Sequence, residues 1–256
     1  MLVAMGRLPE AESLLKEALG AKGHDEGLRQ TLAEIHRSQQ RFDLLLDDVI
    51  TLLAQTAKDD PLPMAWAQKT MEDLAGQPTV AARVEPAIRK LVGERKDRPE
   101  LRLLLAEALI RKGDVNAAYL EVTDADRVAA AGGTLLFQFA DGLYSQGLSE
   151  MAGSAYRKSA EAATNRDQRA RAWNRAVEVA VEGERWSEAV AAYQGLAAID
   201  PRSPVGIDAQ MAVADLQQAV TTDNKYDAGQ FWLAQAYMRR RQASEADGPI
   251  TMASAS

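Results

Sequence analysis

Two imidazoles, His24 and His36, are all the histidine chemistry this chain of 256 residues offers, and it contains no cysteine. No partner motif accompanies either histidine, so each reads as a packed or half-exposed structural side chain. The lack of thiols removes disulfides, thiolate metal ligands and cysteine nucleophiles. The acidic pairs Asp47-Asp48 and Asp59-Asp60 read as a solvated helix face and a helix terminator. No G-x-S-x-G, G-x-x-x-x-G-K-S/T, H-E-x-x-H or calcium-loop pattern occurs. These residues predict no catalytic centre, no metal site and no cofactor.

The stronger chemical pattern is basic. Arg171 and Arg175 are four apart and share one face of a helix. Two guanidinium forks so placed can hold a carboxylate through bidentate, charge-assisted bonds. Two readings stay open for the run Arg166, Arg169, Arg171 and Arg175. Either it solvates an exposed helix face and pairs with Glu178 or Glu182, or it grips an acidic partner.

The unit that positions these arginines spans 170–203. Trp173, Ala176, Val177 and Ala180 recur at i, i+3, i+4 and i+7 on a first helix. Glu182-Gly183-Glu184-Arg185 breaks the pattern. Ala189, Tyr193, Leu196 and Ala197 then form the apolar face of a second helix, which Asp200-Pro201 ends. Such a hairpin has two apolar faces and needs a neighbour of the same shape to bury both. The neighbours are visible. Gly113 and Ala118 are followed 34 residues later by Gly147 and Ala152, and Phe42 follows Leu8 by 34. Leu101, Leu105 and Leu109 likewise correspond to Leu135, Phe139 and Leu143. Small residues at the alanine positions let adjacent helices approach closely.

These residues resemble the tetratricopeptide repeat (TPR), whose pattern is W-x2-L-G-x2-Y, then A-x3-F, then P, over about 34 residues. Trp173 takes the tryptophan place, Ala176 and Val177 the Leu-Gly places and Ala180 the tyrosine place. Ala189 and Tyr193 match A-x3-F, and Pro201 the closing proline; His36 occupies the tyrosine place of an earlier unit. The implied fold is all-α, a right-handed α-solenoid of stacked helix-turn-helix repeats. It forms one array over 1–246, about six hairpins partial at both ends. The units lie near 1–25, 26–59, 60–98, 99–132, 133–169 and 170–203, with a short one at 204–226 and a partial one at 227–246. Residues 247–256 read as a disordered tail. Within the unit after Pro61, helices are expected over 64–75 and 80–92, and Pro86 should kink the second or shift its start. A final first helix is expected over 230–240. HEAT-like or Sel1-like solenoids are the alternatives, and the spacing near 34 favours TPR.

In the family, first helices line a concave groove. Carried over, the groove would hold Phe137, Gln138, Asp141 and Tyr144, then Arg171, Asn174, Arg175 and Glu178, then Phe231, Trp232 and Gln235. The resemblance therefore implies a non-catalytic scaffold for a protein or peptide, with an acidic ligand favoured by Arg171, Arg175 and the Gln138 amide. Chaperone-binding members grip a C-terminal carboxylate with a lysine or arginine pair and asparagines. This chain departs from that clamp at Leu103 and Glu107.

Composition fits these expectations. Apolar residues make up 46%, but aromatics only 5%, which suits alanine-rich helix packing better than a β core. A formal charge of −7 argues against a general nucleic-acid binder, and against the RNA-binding pentatricopeptide repeats of similar period. No apolar run reaches the length of a membrane span. The residue usage looks bacterial. The chain reads as cytoplasmic, or as periplasmic or envelope-associated if an export signal lies upstream. Two other functions stay open: the regulatory or substrate-presenting arm of a larger enzyme such as a glycosyltransferase, and a structural part of a bacterial envelope or secretion assembly.

Overall fold

The computed structural model describes residues 6–57 and 60–221, and all regular structure among them is helical. The expected helix over 230–240, the tail 247–256 and the residues Phe231, Trp232 and Gln235 lie outside the described residues. Twelve helices follow in order: α1 (Leu8–Lys22), α2 (Glu26–Ser38), α3 (Phe42–Gln55), α4 (Met64–Ala75), α5 (Ala81–Glu94) and α6 (Pro99–Arg111). Then come α7 (Val115–Val128), α8 (Thr134–Ser145), α9 (Ser149–Ala162), α10 (Arg166–Glu182), α11 (Trp186–Ile199) and α12 (Pro204–Thr221). The chain divides into two compact units, one ending at Ala129 and one starting at Ala130. In each, helices pack mainly on their neighbours in sequence.

The hairpins arise from a repeated turn. Four first helices end at a residue in the left-handed region: Gln40 (φ 57°), Gly113 (φ 82°), Gly147 (φ 78°) and Glu184 (φ 53°). At each, the next amide donates back across the turn to the helix. Arg41 N–H reaches the His36 carbonyl at 2.9 Å, Asp114 that of Leu109 at 2.9 Å, Leu148 that of Leu143 at 3.0 Å, and Arg185 that of Ala180 at 2.8 Å. This closure satisfies the last carbonyls of one helix and reverses the chain within three residues. Leu8 and Phe42, matched in the sequence, open α1 and α3, and the residues two before them, Gly6 (φ 71°) and Gln40, are both left-handed. Three helices start on side-chain caps: for α2, Asp25 accepts from Leu28 N–H; for α7, Asp114 accepts from Ala117 N–H; for α10, Asn165 accepts from Asp167 and Gln168 N–H.

The α4–α5 unit differs as its sequence foretells. Gly76 ends α4 at φ −78°, so no left-handed turn forms there. Helix α5 begins at Ala81 and runs on through Pro86 to Glu94. Pro86 is exposed, so its ring projects to solvent while Val84, Ile88 and Leu91 bury the opposite face.

Packing follows the expected stripes. Leu45, Val49 and Leu52 of α3 are fully buried, as are Ala118, Ala152 and Ala189 at the alanine positions of α7, α9 and α11. Each buried Leu contributes about 1.5–3 kcal/mol, and the alanines contribute by letting helix backbones close up. One expected solvent-facing residue is not there. Asp48 is 5% exposed while Asp47 faces water, because α3 presents Leu45, Asp48, Val49 and Leu52 on a single face.

Candidate functional site

The face that gathers the arginines is built by α8 and α10, first helices of successive hairpins in the second unit. Their contacts advance together. The Gln168 amide donates to Thr134 Oγ1 at 2.8 Å and to the Gly132 carbonyl at 3.1 Å. The Arg171 guanidinium lies 4.7 Å over the Phe137 ring and that of Arg175 5.0 Å over Tyr144. Further along, the Tyr144 hydroxyl donates to Glu182. The two helices therefore run parallel, with equivalent positions side by side.

Tyr156 of α9 forms the floor. It is fully buried, edge-on to Phe137 with ring centroids 5.2 Å apart. Its hydroxyl donates to Asp141 and accepts from Arg175 Nη2 at 3.3 Å. Burial, then the bond to Asp141, pushes its phenol up to about 12. The Tyr144 phenol is also raised, chiefly by its bond to Glu182. Burial works against the charge of Arg175, but Glu178, bonded at 2.7 Å, and Tyr156 outweigh it and hold the guanidinium charged.

The groove residues expected from the sequence thus divide. Gln138, Asp141 and Arg171 are exposed; Tyr144, Asn174, Arg175 and Glu178 are half-buried. Phe137 is buried and serves as the platform under Arg171. Arg175 is committed to Glu178 and Tyr156, so Arg171 and Arg175 do not form two free forks. Arg166 pairs with Asp200 and Arg169 donates to the Ala163 carbonyl at 2.6 Å. Among the described residues, Arg171 has no carboxylate at ion-pair distance, and the side-chain amides of Gln138 and Asn174 have no hydrogen-bond partner. The cation–π contact of Arg171 with Phe137 is worth about 0.5–1 kcal/mol at this exposed site. The face is polar along its length, with Arg171 toward the helix starts and Glu178 and Glu182 toward the ends. At the clamp positions, Leu103 is half-buried and Glu107 accepts from Gln68 at 2.7 Å, its carboxyl raised chiefly by burial.

A second polar cluster, in the first unit, escaped the sequence reading. His36 is 2% exposed, with Nδ1 2.6 Å from Asp48 Oδ2 and Nε2 3.4 Å from Glu12 Oε1. Glu12 is bonded by Lys16 and Arg41, each at 2.6 Å. The bond from Lys16, opposed by partial burial and joined by His36, holds the Glu12 carboxyl at about 2. Burial raises Asp48, against the pull of His36 and Arg29. The cluster ties α1, α2 and α3 together. Its one sequence signal was the aspartate interrupting the apolar stripe of α3. No group of side chains suited to a metal ion occurs among the described residues, and no described helix is long and apolar enough to cross a membrane.

No family model matches the chain. No curated protein matches it either. Among solved structures it is similar to the C-terminal part of a TPR repeat-containing protein from Cytophaga hutchinsonii, at 16% identity over 81% of this chain and 96% of that one, with a TM-score of 0.34. A likeness that distant adds nothing to what the chain's own hairpins show: their turns, small-residue positions and spacing are TPR-like.

Proposed function

We propose that this chain is a non-catalytic scaffold, and that the α8–α10 face docks an acidic peptide segment of a partner protein. The observation that carries the reading is Arg171, an exposed guanidinium laid on an aromatic platform with no carboxylate of its own. Arginine held over a ring in this way loses little further freedom on binding and keeps its fork for a carboxylate. Gln138 and Asn174 flank it with side-chain amides suited to peptide N–H and C=O groups. The acidic end formed by Glu178 and Glu182 repels an acidic chain and so sets the direction in which it lies.

Selection from a random peptide library tests this. The wild-type chain should enrich peptides bearing Asp, Glu or a free C-terminus. Arg171→Glu, which leaves the Arg175–Glu178–Tyr156 cluster intact, should lose those peptides by roughly tenfold to a hundredfold in affinity. Selection of the same peptides by the variant, at unchanged helicity, would refute the assignment.

A further inference from the structure

Between α1, α2 and α3 lies a pocket of about 580 Å³, within the range of small-ligand sites. It belongs to the first unit and owes nothing to the α8–α10 face. One leucine from each helix, Leu19, Leu32 and Leu44, lines its wall. His36 and Asp48 lie at its buried end, and Lys16, His24 and Arg29 also line it.

The charges around it are unevenly used. Glu12 is satisfied by Lys16 and Arg41, both at 2.6 Å, and Asp48 holds His36 at 2.6 Å. Arg29, whose side chain is only 18% exposed, reaches Asp48 at 3.4 Å and Gln55 at 3.5 Å. Both contacts sit at the outer limit of a hydrogen bond and use different nitrogens, so the guanidinium keeps most of its donor strength. Asp47 also lines the pocket, but it is exposed and lies 3.5 Å from Arg83. Lys16, Arg29 and Arg41 therefore stand with three carboxylates: Glu12 and Asp48, each already closely bonded, and the solvated Asp47. A cation entering here would have to break those short bonds or settle on Asp47, which water solvates and Arg83 shares, whereas an anion meets Arg29, loosely held and largely shielded from solvent. The leucine wall favours an apolar body behind the charged head.

We propose that this pocket binds a small aliphatic carboxylate, with its head on Arg29 and its chain against Leu19, Leu32 and Leu44. The experiment uses the full chain and three probes of one length: hexanoate, hexanamide and hexylamine. Binding is followed by NMR through the His24 and His36 imidazole signals. Hexanoate should shift both signals and bind about tenfold more tightly than hexanamide; hexylamine should bind more weakly than either. Arg29→Gln should erase the preference for hexanoate, and Arg171→Glu should leave it unchanged, which separates this site from the peptide face. Equal binding of hexanoate and hexanamide, or preference for hexylamine, overturns the proposal on the wild-type chain alone. Survival of the preference in Arg29→Gln overturns it as well.

Discussion

Gly195 of α11 lies face to face with the indole of Trp173 on α10. A Cβ added there would sit 2.4 Å from Trp173 Cε2, 2.5 Å from Cζ2 and 2.6 Å from Cδ2. Ordinary contact begins near 3.4 Å, so in Gly195→Ala the ring must retreat by about 1 Å. Trp173 is wedged between α10 and α11, and moving it separates the two helices. Overpacking of this kind costs about 1–3 kcal/mol, and the better helix propensity of alanine returns about 0.5–1 kcal/mol. The net expectation is a loss of up to about 2.5 kcal/mol. Gly142 of α8 supplies the control, since nothing lies within 4 Å of its added Cβ. Gly142→Ala should therefore gain about 0.5–1 kcal/mol from propensity alone. Both variants lie in the second unit, so urea unfolding followed by circular dichroism compares them on the same hairpins. Combining Gly195→Ala with Trp173→Leu completes a double-mutant cycle, because leucine presents no ring for the methyl to strike. A coupling of at least about 1 kcal/mol is expected. If Gly195→Ala proves as stabilising as Gly142→Ala, or the coupling is near zero, the account of how α10 and α11 fit together fails.

The repeated turn predicts opposite effects at equivalent positions. Gln40→Gly and Glu184→Gly should each stabilise by about 0.5–1 kcal/mol, because a side chain in the left-handed region costs more than the freedom glycine adds to the unfolded chain. Gly113→Ala and Gly147→Ala should each cost about 1 kcal/mol, and neutral midpoint shifts in urea would contradict the shared turn geometry. Glu12 predicts an acid effect confined to the first unit. Its carboxyl lies at about 2 in the folded chain against 4.5 ordinarily, so the folded form binds fewer protons between those values. The resulting stability is full above about pH 4.5 and disappears as the pH falls toward 2. In Glu12→Gln, melting temperatures should depend less on pH across that window; an unchanged dependence would count against the Lys16–Glu12–His36 cluster.

Much of this architecture is legible in the order of residues because it is local. A helical stripe needs only a spacing of three and four, and a reversal needs only a residue that tolerates a left-handed backbone. Gly113 and Gly147 announce that turn by their type. Gln40 and Glu184 adopt it without announcing it, and there the register of Phe42 and Trp186 gave the position instead. Pro86 lies inside α5 on its exposed side, and only the tertiary structure places Val84, Ile88 and Leu91 on the face that packs.

The chemistry of the two polar sites is not local. Asp47 and Asp48 are neighbours of one type, yet one meets water and the other His36, because the rotation of α3 against α1 and α2 decides which carboxylate turns inward. Arg171 and Arg175 share a helix face, yet Glu178 and Tyr156 take up only the second. From the sequence alone came the hairpins, their period and the short list of residues on exposed first-helix faces. The Arg175–Glu178 pair is local, but the rest of what decides which charges are spent and which remain open lies a dozen or more residues away, as Tyr156 does from Arg175 and Asp48 from His36, brought within bonding distance only by the stacking of one helix on another.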